Sequence, residues 1–345
     1  MNIKKYKTKI FLTIIHGLLS VCLFTGCSDN VEPGKFVAIS ANGRIAYSTD
    51  GINWTDKENE QLSSPSVYGW WSGICYGDGK FVAIADLLDT AAYSTDGETW
   101  KLTTIKSKST ANEWRSLTYG NGKFIAISNE WGKIAAYSTN GSDWNPVDFS
   151  SDVDDANWIG VCYGIGMFVA ISEQGKTAYS TDGSNWNPGK PLEPSGLTNW
   201  RSVCYGKGKF VAMTEGGAKV NVAYSTNGID WIPVAEEWPF PATHEWNASC
   251  YGNGKFVMVV ANGSNNAAYS TDGIHWRPAT KIPTTGVGAW KYVSYGNGMF
   301  IAIDVNGEMA YSEDGINWNE GKKLYFPDSW QGFAYGLDSD VFGFL

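Results

Sequence analysis

A seven-residue string, Ser-Thr-Asp-Gly-Ile-Asn-Trp at positions 48–54, recurs in close variants six more times along the 345-residue chain. The closing Trp of each copy is Trp54, Trp100, Trp144, Trp186, Trp231, Trp276 and Trp318, so successive spacings are 46, 44, 42, 45, 45 and 42 residues. A repeat of this length with no 3.6-residue apolar period does not suit a helical solenoid. It predicts an all-β, seven-bladed β-propeller with one four-stranded antiparallel blade per repeat.

One repeat shows the pattern. Strand a runs from Trp114 to Tyr119, a Gly-Asn-Gly-Lys turn covers 120–123, and strand b is Phe124-Ile-Ala-Ile-Ser128. Strand c is Ala135–Ser138, the Thr139-Asn140-Gly141 turn follows, and strand d starts near Trp144. Glycines at positive φ make such tight turns accessible. Strand-a Trps stand at Trp71, Trp114, Trp158, Trp200, Trp246, Trp290 and Trp330, each five residues before a Tyr. The first repeat enters at Lys35-Phe36-Val37 without a strand a, and the missing strand appears at Trp330–Gly336. One blade is therefore expected to be shared by the two termini, which closes the ring and leaves no open edge. Val341–Leu345 looks like a second copy of strand b and has no assigned place.

This recipe explains the composition. Fourteen of the 17 Trp occupy two repeat positions, 14 of the 18 Tyr occupy two others, before Gly or before Ser, and turns take half of the 40 Gly. With 43% apolar residues the chain is not disordered. A net charge of −9 argues against a nucleic-acid surface. Cys75, Cys162, Cys204 and Cys250 share one repeat position with Thr118, Ser294 and Ala334, so a small buried residue is wanted there. Three His and no Cys-x-x-Cys argue against a zinc site. No cofactor is expected.

The repeated turn resembles the Asp-box of sialidase-like propellers, with Gly directly after the Asp. In it Asp50, Asp96, Asn140, Asp182, Asn227, Asp272 and Asp314 accept hydrogen bonds from their own turn. Gly takes the left-handed position and Trp packs between sheets. Two of the seven are Asn, which caps a turn but is poor for catalysis or metal binding. All seven are therefore read as structural, with calcium at one box as the alternative. The resemblance also implies a glycosidase as one alternative. Sialidases clamp a carboxylate with three Arg and carry a Phe-Arg-Ile-Pro string, whereas this chain has four Arg in all and lacks that string.

Residues 1–27 read as an address. Lys4, Lys5, Lys7 and Lys9 precede an apolar run from Ile10 to Phe24, too short for a comfortable span. Leu23-Phe24-Thr25-Gly26-Cys27 resembles a bacterial lipobox, which implies lipidation of Cys27. Ser28 rather than Asp follows, which implies the outer membrane, on its periplasmic side or exposed. Residues 28–34 form a tether and 35–345 the propeller. The membrane is met through the lipid anchor only, and the chain is expected to be a monomer.

Function is sought where the repeat breaks. The a–b and c–d turns are short and uniform on one face, while the b–c loops and d–a connections vary on the other. Trp70, Trp131 and Trp238, the Trps outside the repeat, fall on the variable face with Tyr68, Phe240 and Tyr325. They either present rings to a ligand or fold back over their own loops. The residue after each strand-a Trp also varies: Ser72, Arg115, Ile159, Arg201, Asn247, Lys291 and Gln331. Near the mouth of the central channel, Arg115, Arg201 and Lys291 either form a cationic cluster for a carboxylate or sulfate, or are separate solvated charges. Arg115, Arg201, Asn247, Lys291 and Gln331 join the three Trps as candidate ligand-binding residues. Asp152, Asp154 and Asp155 are read as solvated loop. The leading reading is a non-catalytic binding module for a glycan or an envelope protein, with a glycoside hydrolase and an assembly factor as alternatives.

Overall fold

Strand b carries an unbroken apolar run in every repeat, such as Lys123–Ser128 with sequence KFIAIS, and all but its first residue is buried. Alternation disappears because each blade is covered on both faces by its neighbours. The computed structural model describes residues 34–336, except 65–69, 88, 107–112, 130–134, 148–155, 193–198, 217–221, 235–243, 262–263, 265, 285, 287 and 326–328. The lipobox with Cys27, Val341–Leu345, the 152–155 acids, Trp131, Trp238, Tyr68 and Phe240 lie outside the described residues.

The described chain forms seven four-stranded antiparallel sheets, as expected of a seven-bladed β-propeller. In blade 1, strand a is Trp330–Gly336, followed outward by Lys35–Ser40, Ile45–Ser48 and Thr55–Lys57. The two ends of the chain therefore meet in one sheet, with Phe36 paired to Tyr335. Blades 2 to 7 begin with strands a at Trp71–Gly77, Trp114–Gly120, Trp158–Gly164, Trp200–Gly206, Trp246–Gly252 and Trp290–Gly296. Strand d is short and outermost. It holds Pro146, Pro188, Pro233 and Pro278, which a sheet tolerates only at an edge.

Seven apolar clusters fill the seven interfaces between blades. The cluster between blades 1 and 2, for example, joins Val37, Ile39 and Ile45 to Trp71, Phe81 and Trp100. Strand-a Trps are at most 1% exposed and turn Trps at most 8%, so these fourteen rings are packing elements. A second contact repeats around the ring. A Cβ on the last Gly of strand a would fall within about 2 Å of the next blade's Tyr ring, as for Gly77 on Tyr119 and Gly120 on Tyr163. Gly336 on Tyr76 carries the same contact across the joined termini. The Tyr-Gly pair thus sets how closely adjacent blades approach.

The repeated turn is held as the sequence suggests. Asp182 Oδ1 accepts the backbone N–H groups of Ser184 and Asn185, each at 2.8 Å, and Ser180 Oγ accepts the Gly183 N–H at 2.8 Å. Gly97 has φ of +74°, and a Cβ there would lie 2.4 Å from Val37 of the preceding blade, so both backbone and space require Gly. Where the turn has Asp, Asn or another donor stands three residues on: Asn53, Asn185 and Asn317 donate to Asp50, Asp182 and Asp314. Where it has Asn, the partner is acidic: Asn140 donates to Asp143 at 2.7 Å and Asn227 to Asp230 at 2.8 Å. The swap keeps one carboxylate and one donor in each pair.

Candidate functional site

Every strand a is bulged just after its Trp. In blade 2, Trp71 pairs with Ala85 and Gly73 with Ile84, so Ser72 has no partner in the ladder. The same skip isolates Arg115, Ile159, Arg201, Asn247 and Lys291, and in blade 1 it isolates Gln331. A bulge re-aims the side chain of its extra residue. The seven residues that break the repeat are thus seven bulge residues at the start of the innermost strands. The sequence held a sign of this. Trp71 and Tyr76 are five apart, which in a regular strand means opposite faces, yet both join one cluster. One extra residue between them restores the parity.

Three of the bulge side chains, Ser72, Asn247 and Lys291, reach to the next blade. Ser72 Oγ donates to the Trp114 carbonyl at 2.6 Å. Asn247 Nδ2 donates to the Lys291 carbonyl at 2.7 Å, and Lys291 Nζ donates to Gln331 Oε1 at 2.9 Å. Tyr292 Oη donates to the same Gln331 oxygen at 3.2 Å.

A cavity of about 410 Å³ opens among these groups on the variable-loop face. It is lined from four consecutive blades: Lys291 from blade 7; Ala41, Asn42, Ser329 and Gln331 around blade 1; Trp70, Trp71, Ser72 and Asp86 from blade 2; and Arg115 from blade 3. Four of the predicted site residues, Trp70, Arg115, Lys291 and Gln331, meet here. Two do not. Arg201 Nε and Nη2 both donate to Glu215 Oε2, at 2.8 and 2.6 Å, so it is tied within its own blade. The expected three-cation cluster is therefore a pair. Asn247 is used in the tie to Lys291.

Trp70 is presented rather than folded back. Its N–H donates to Asp86 Oδ1 at 2.6 Å and its carbonyl accepts the Asp86 N–H at 2.8 Å, while the residue remains 65% exposed. A rigid backbone holding an open indole is a preorganised contact surface. Tyr325 is exposed on the same face, its N–H donating to Asp56 Oδ2 at 2.8 Å.

The cavity's electrostatics are cationic at two points. Burial pushes the Lys291 ammonium below its usual pKa, and the charge of Arg115 pushes the same way. Lys291 has neutral company: the Gln331 oxygen and the Tyr292 ring, whose centroid lies 5.6 Å away. Burial holds the Tyr292 hydroxyl protonated far above its usual range. Arg115 makes one surface ion pair, Nη2 to Glu113 Oε2 at 2.8 Å. Pairs of this kind contribute little and yield readily to another anion.

Asp86, Asn42 and Ser329 were missed because they belong to loops with no repeated register. A further acidic pair, Asp304 and Glu308, lies at the b–c connection of blade 7, buried to 0% and 3% exposure. Asp304 Oδ1 accepts the N–H groups of Asn306 and Glu308 at 2.8 Å, and Lys323 Nζ donates to Glu308 Oε1 at 2.7 Å. These bonds assign the pair to shaping that turn. Among the described residues no group of three or more His, Cys, Asp or Glu could hold a metal ion. The four described thiols are free; Cys204 is buried as expected while Cys75, Cys162 and Cys250 are half-buried, and desolvation raises Cys75 and Cys204, the latter to about 12.

No protein-family model matches the chain, and no curated protein matches it. Its likeness is to solved structures. A selenomethionine-substituted virginiamycin B lyase from Staphylococcus aureus is 15% identical at a TM-score of 0.62, over 74% of this chain and 85% of that one. YCF48 bound to D1 peptide is 13% identical at 0.58, over 92% and 98%. A structure of the nidogen/laminin complex is 11% identical at 0.53, over 78% and 98%. At such identities the likeness establishes a seven-bladed β-propeller and nothing finer.

Proposed function

We propose that this chain is a lipid-anchored, non-catalytic binding module of the bacterial cell envelope, with its ligand site in the cavity at the channel mouth. The observation that carries the reading is the exposed, backbone-clamped Trp70 beside a cavity ringed by bulge residues. The partner is a glycan or an envelope protein. Protein-bound propellers of the same fold, YCF48 with a D1 peptide and the nidogen/laminin complex, support the general role. The turn bonds fit an Asp-box propeller whose boxes serve the scaffold. The single carboxylate in the described lining, Asp86, already accepts the Trp70 N–H, so the lining favours binding over acid–base hydrolysis, which needs two carboxyl groups.

The test uses the full chain in non-ionic detergent on a glycan array and against envelope proteins, compared with Trp70→Ala and Arg115→Ala. Binding lost in both variants, with folding intact, is the expected result. Turnover of fluorogenic sugar substrates that disappears in Asp86→Asn would overturn the non-catalytic reading. Metabolic labelling with a fatty-acid analogue, abolished by Cys27→Ser, tests the anchor.

A further inference from the structure

The geometry points to an acidic saccharide as the ligand of this cavity, its ring stacked on Trp70 and its carboxylate held by Arg115 and Lys291. The inference deepens the binding-module reading and rests on it.

Three observations combine. The first is charge. Arg115 and Lys291 come from blades 3 and 7 yet line one cavity, and each acts electrostatically on the same space. Among the described residues Lys291 meets a neutral amide oxygen and a neutral ring and no carboxylate, so a bound anion would supply an opposite charge. Among the described residues no ion pair joins Asp86 to either cation: its Oδ1 accepts the Trp70 N–H, and Arg115 pairs with Glu113. Charge-assisted bonds to a carboxylate are about twice as strong as neutral ones, and a guanidinium offers five donors for them. Among the described residues Arg115 engages Nη2 alone, toward an exposed acid.

The second is the shape of the apolar surface. Trp70 offers a flat indole, and the remaining apolar lining is Ala41 and the buried Trp71. A pyranose ring has one apolar face and a polar rim, which matches one flat ring better than a peptide side chain matches it. The third is the neutral polar lining. Asn42, Ser72, Ser329 and Gln331 set amide and hydroxyl groups around the cavity, the donor and acceptor types that sugar hydroxyls require. A volume of about 410 Å³ lies in the range of small-molecule sites, about 300–1,000 Å³.

The experiment titrates the full chain in non-ionic detergent with uronic-acid and sialylated oligosaccharides, each beside its carboxyl-reduced counterpart. At least one acidic form is expected to bind about tenfold or more tightly than its reduced partner. Arg115→Gln and Lys291→Met should erase that difference, bringing the acid to the affinity of the neutral form. Trp70→Ala should weaken both forms alike. Raising salt from 50 to 200 mM should weaken the acidic form several-fold and leave the neutral form unchanged. Equal affinity for acid and reduced forms, lost in Trp70→Ala, would overturn the acidic-ligand inference and leave the binding module standing. The inference is also overturned if no saccharide binds while a protein partner is lost in Trp70→Ala. Sugar turnover would instead sink the underlying reading.

Discussion

Changing Gly120 to Ala probes the contact that sets blade spacing. A Cβ at Gly120 would lie 2.1 Å from Tyr163 Cγ and 2.4 and 2.5 Å from its two Cδ atoms. Carbon atoms pack at about 3.5–4.0 Å, so roughly 1.5 Å of space must open. The Tyr163 ring has little room to retreat, since its centroid already lies 4.8 Å from that of Phe168, which is fully buried. If the ring swings out, about 100 Å² of apolar contact returns to water, on the order of 2.5 kcal/mol. If the blades part instead, dispersion is lost along the interface. Either route places the cost near 3 kcal/mol, the upper end of ordinary overpacking. Urea unfolding of Gly120→Ala, Tyr163→Ala and the double variant measures it. The double variant should be no less stable than Tyr163→Ala by itself, a coupling of about 2–3 kcal/mol. Gly122→Ala is the control: there a Cβ meets nothing within 4 Å and only the φ of +70° is felt, about 1 kcal/mol. Additive losses in the double variant, or a Gly120→Ala cost no larger than the control, would refute the steric account.

Three further outcomes are expected. Asp182→Asn should cost about 1 kcal/mol by removing the charged acceptor of the turn, and adding Asn185→Asp should restore most of it, as measured by urea midpoints. Burial would raise the carboxyls of Asp96 and Asp314, but hydrogen bonds from their turns outweigh it and hold both at about 2. Depressed folded-state values mean this stability is complete above the unfolded pKa near 4 and is lost as pH falls toward 2, about 1 kcal/mol per turn after screening. Carboxyl titration by NMR checks the direction. Peptide-resolved alkylation at pH 8 should leave Cys75, Cys162, Cys204 and Cys250 unmodified in the native protein and modify them on unfolding, because burial keeps the thiols protonated.

The candidate site was only partly legible beforehand. Departure from a repeat marked Trp70, Arg115, Lys291 and Gln331, and the cavity gathers them. The same rule also marked Arg201 and Asn247, which local bonds divert: Glu215 takes the first and the Lys291 carbonyl the second. Variation shows where a side chain is free of the scaffold's demands. It does not show which partner the side chain meets. The Asp–Asn exchange within the turns was printed in the chain at Asp182 with Asn185 and Asn140 with Asp143, but its meaning depends on the hydrogen bond that joins them.

By itself, the sequence determined the blade count, the order of strands within a blade and the closure of the ring by Trp330–Gly336. Those follow from local turn chemistry and apolar patterning repeated at one period, so seven copies state the same instruction. Tertiary structure decided the rest. It turned the residue after each strand-a Trp into a bulge, and it set Lys291 and Arg115 from blades 7 and 3 around one cavity. Both depend on contacts between segments far apart in the chain, and no local pattern specifies the distance between two side chains on different blades.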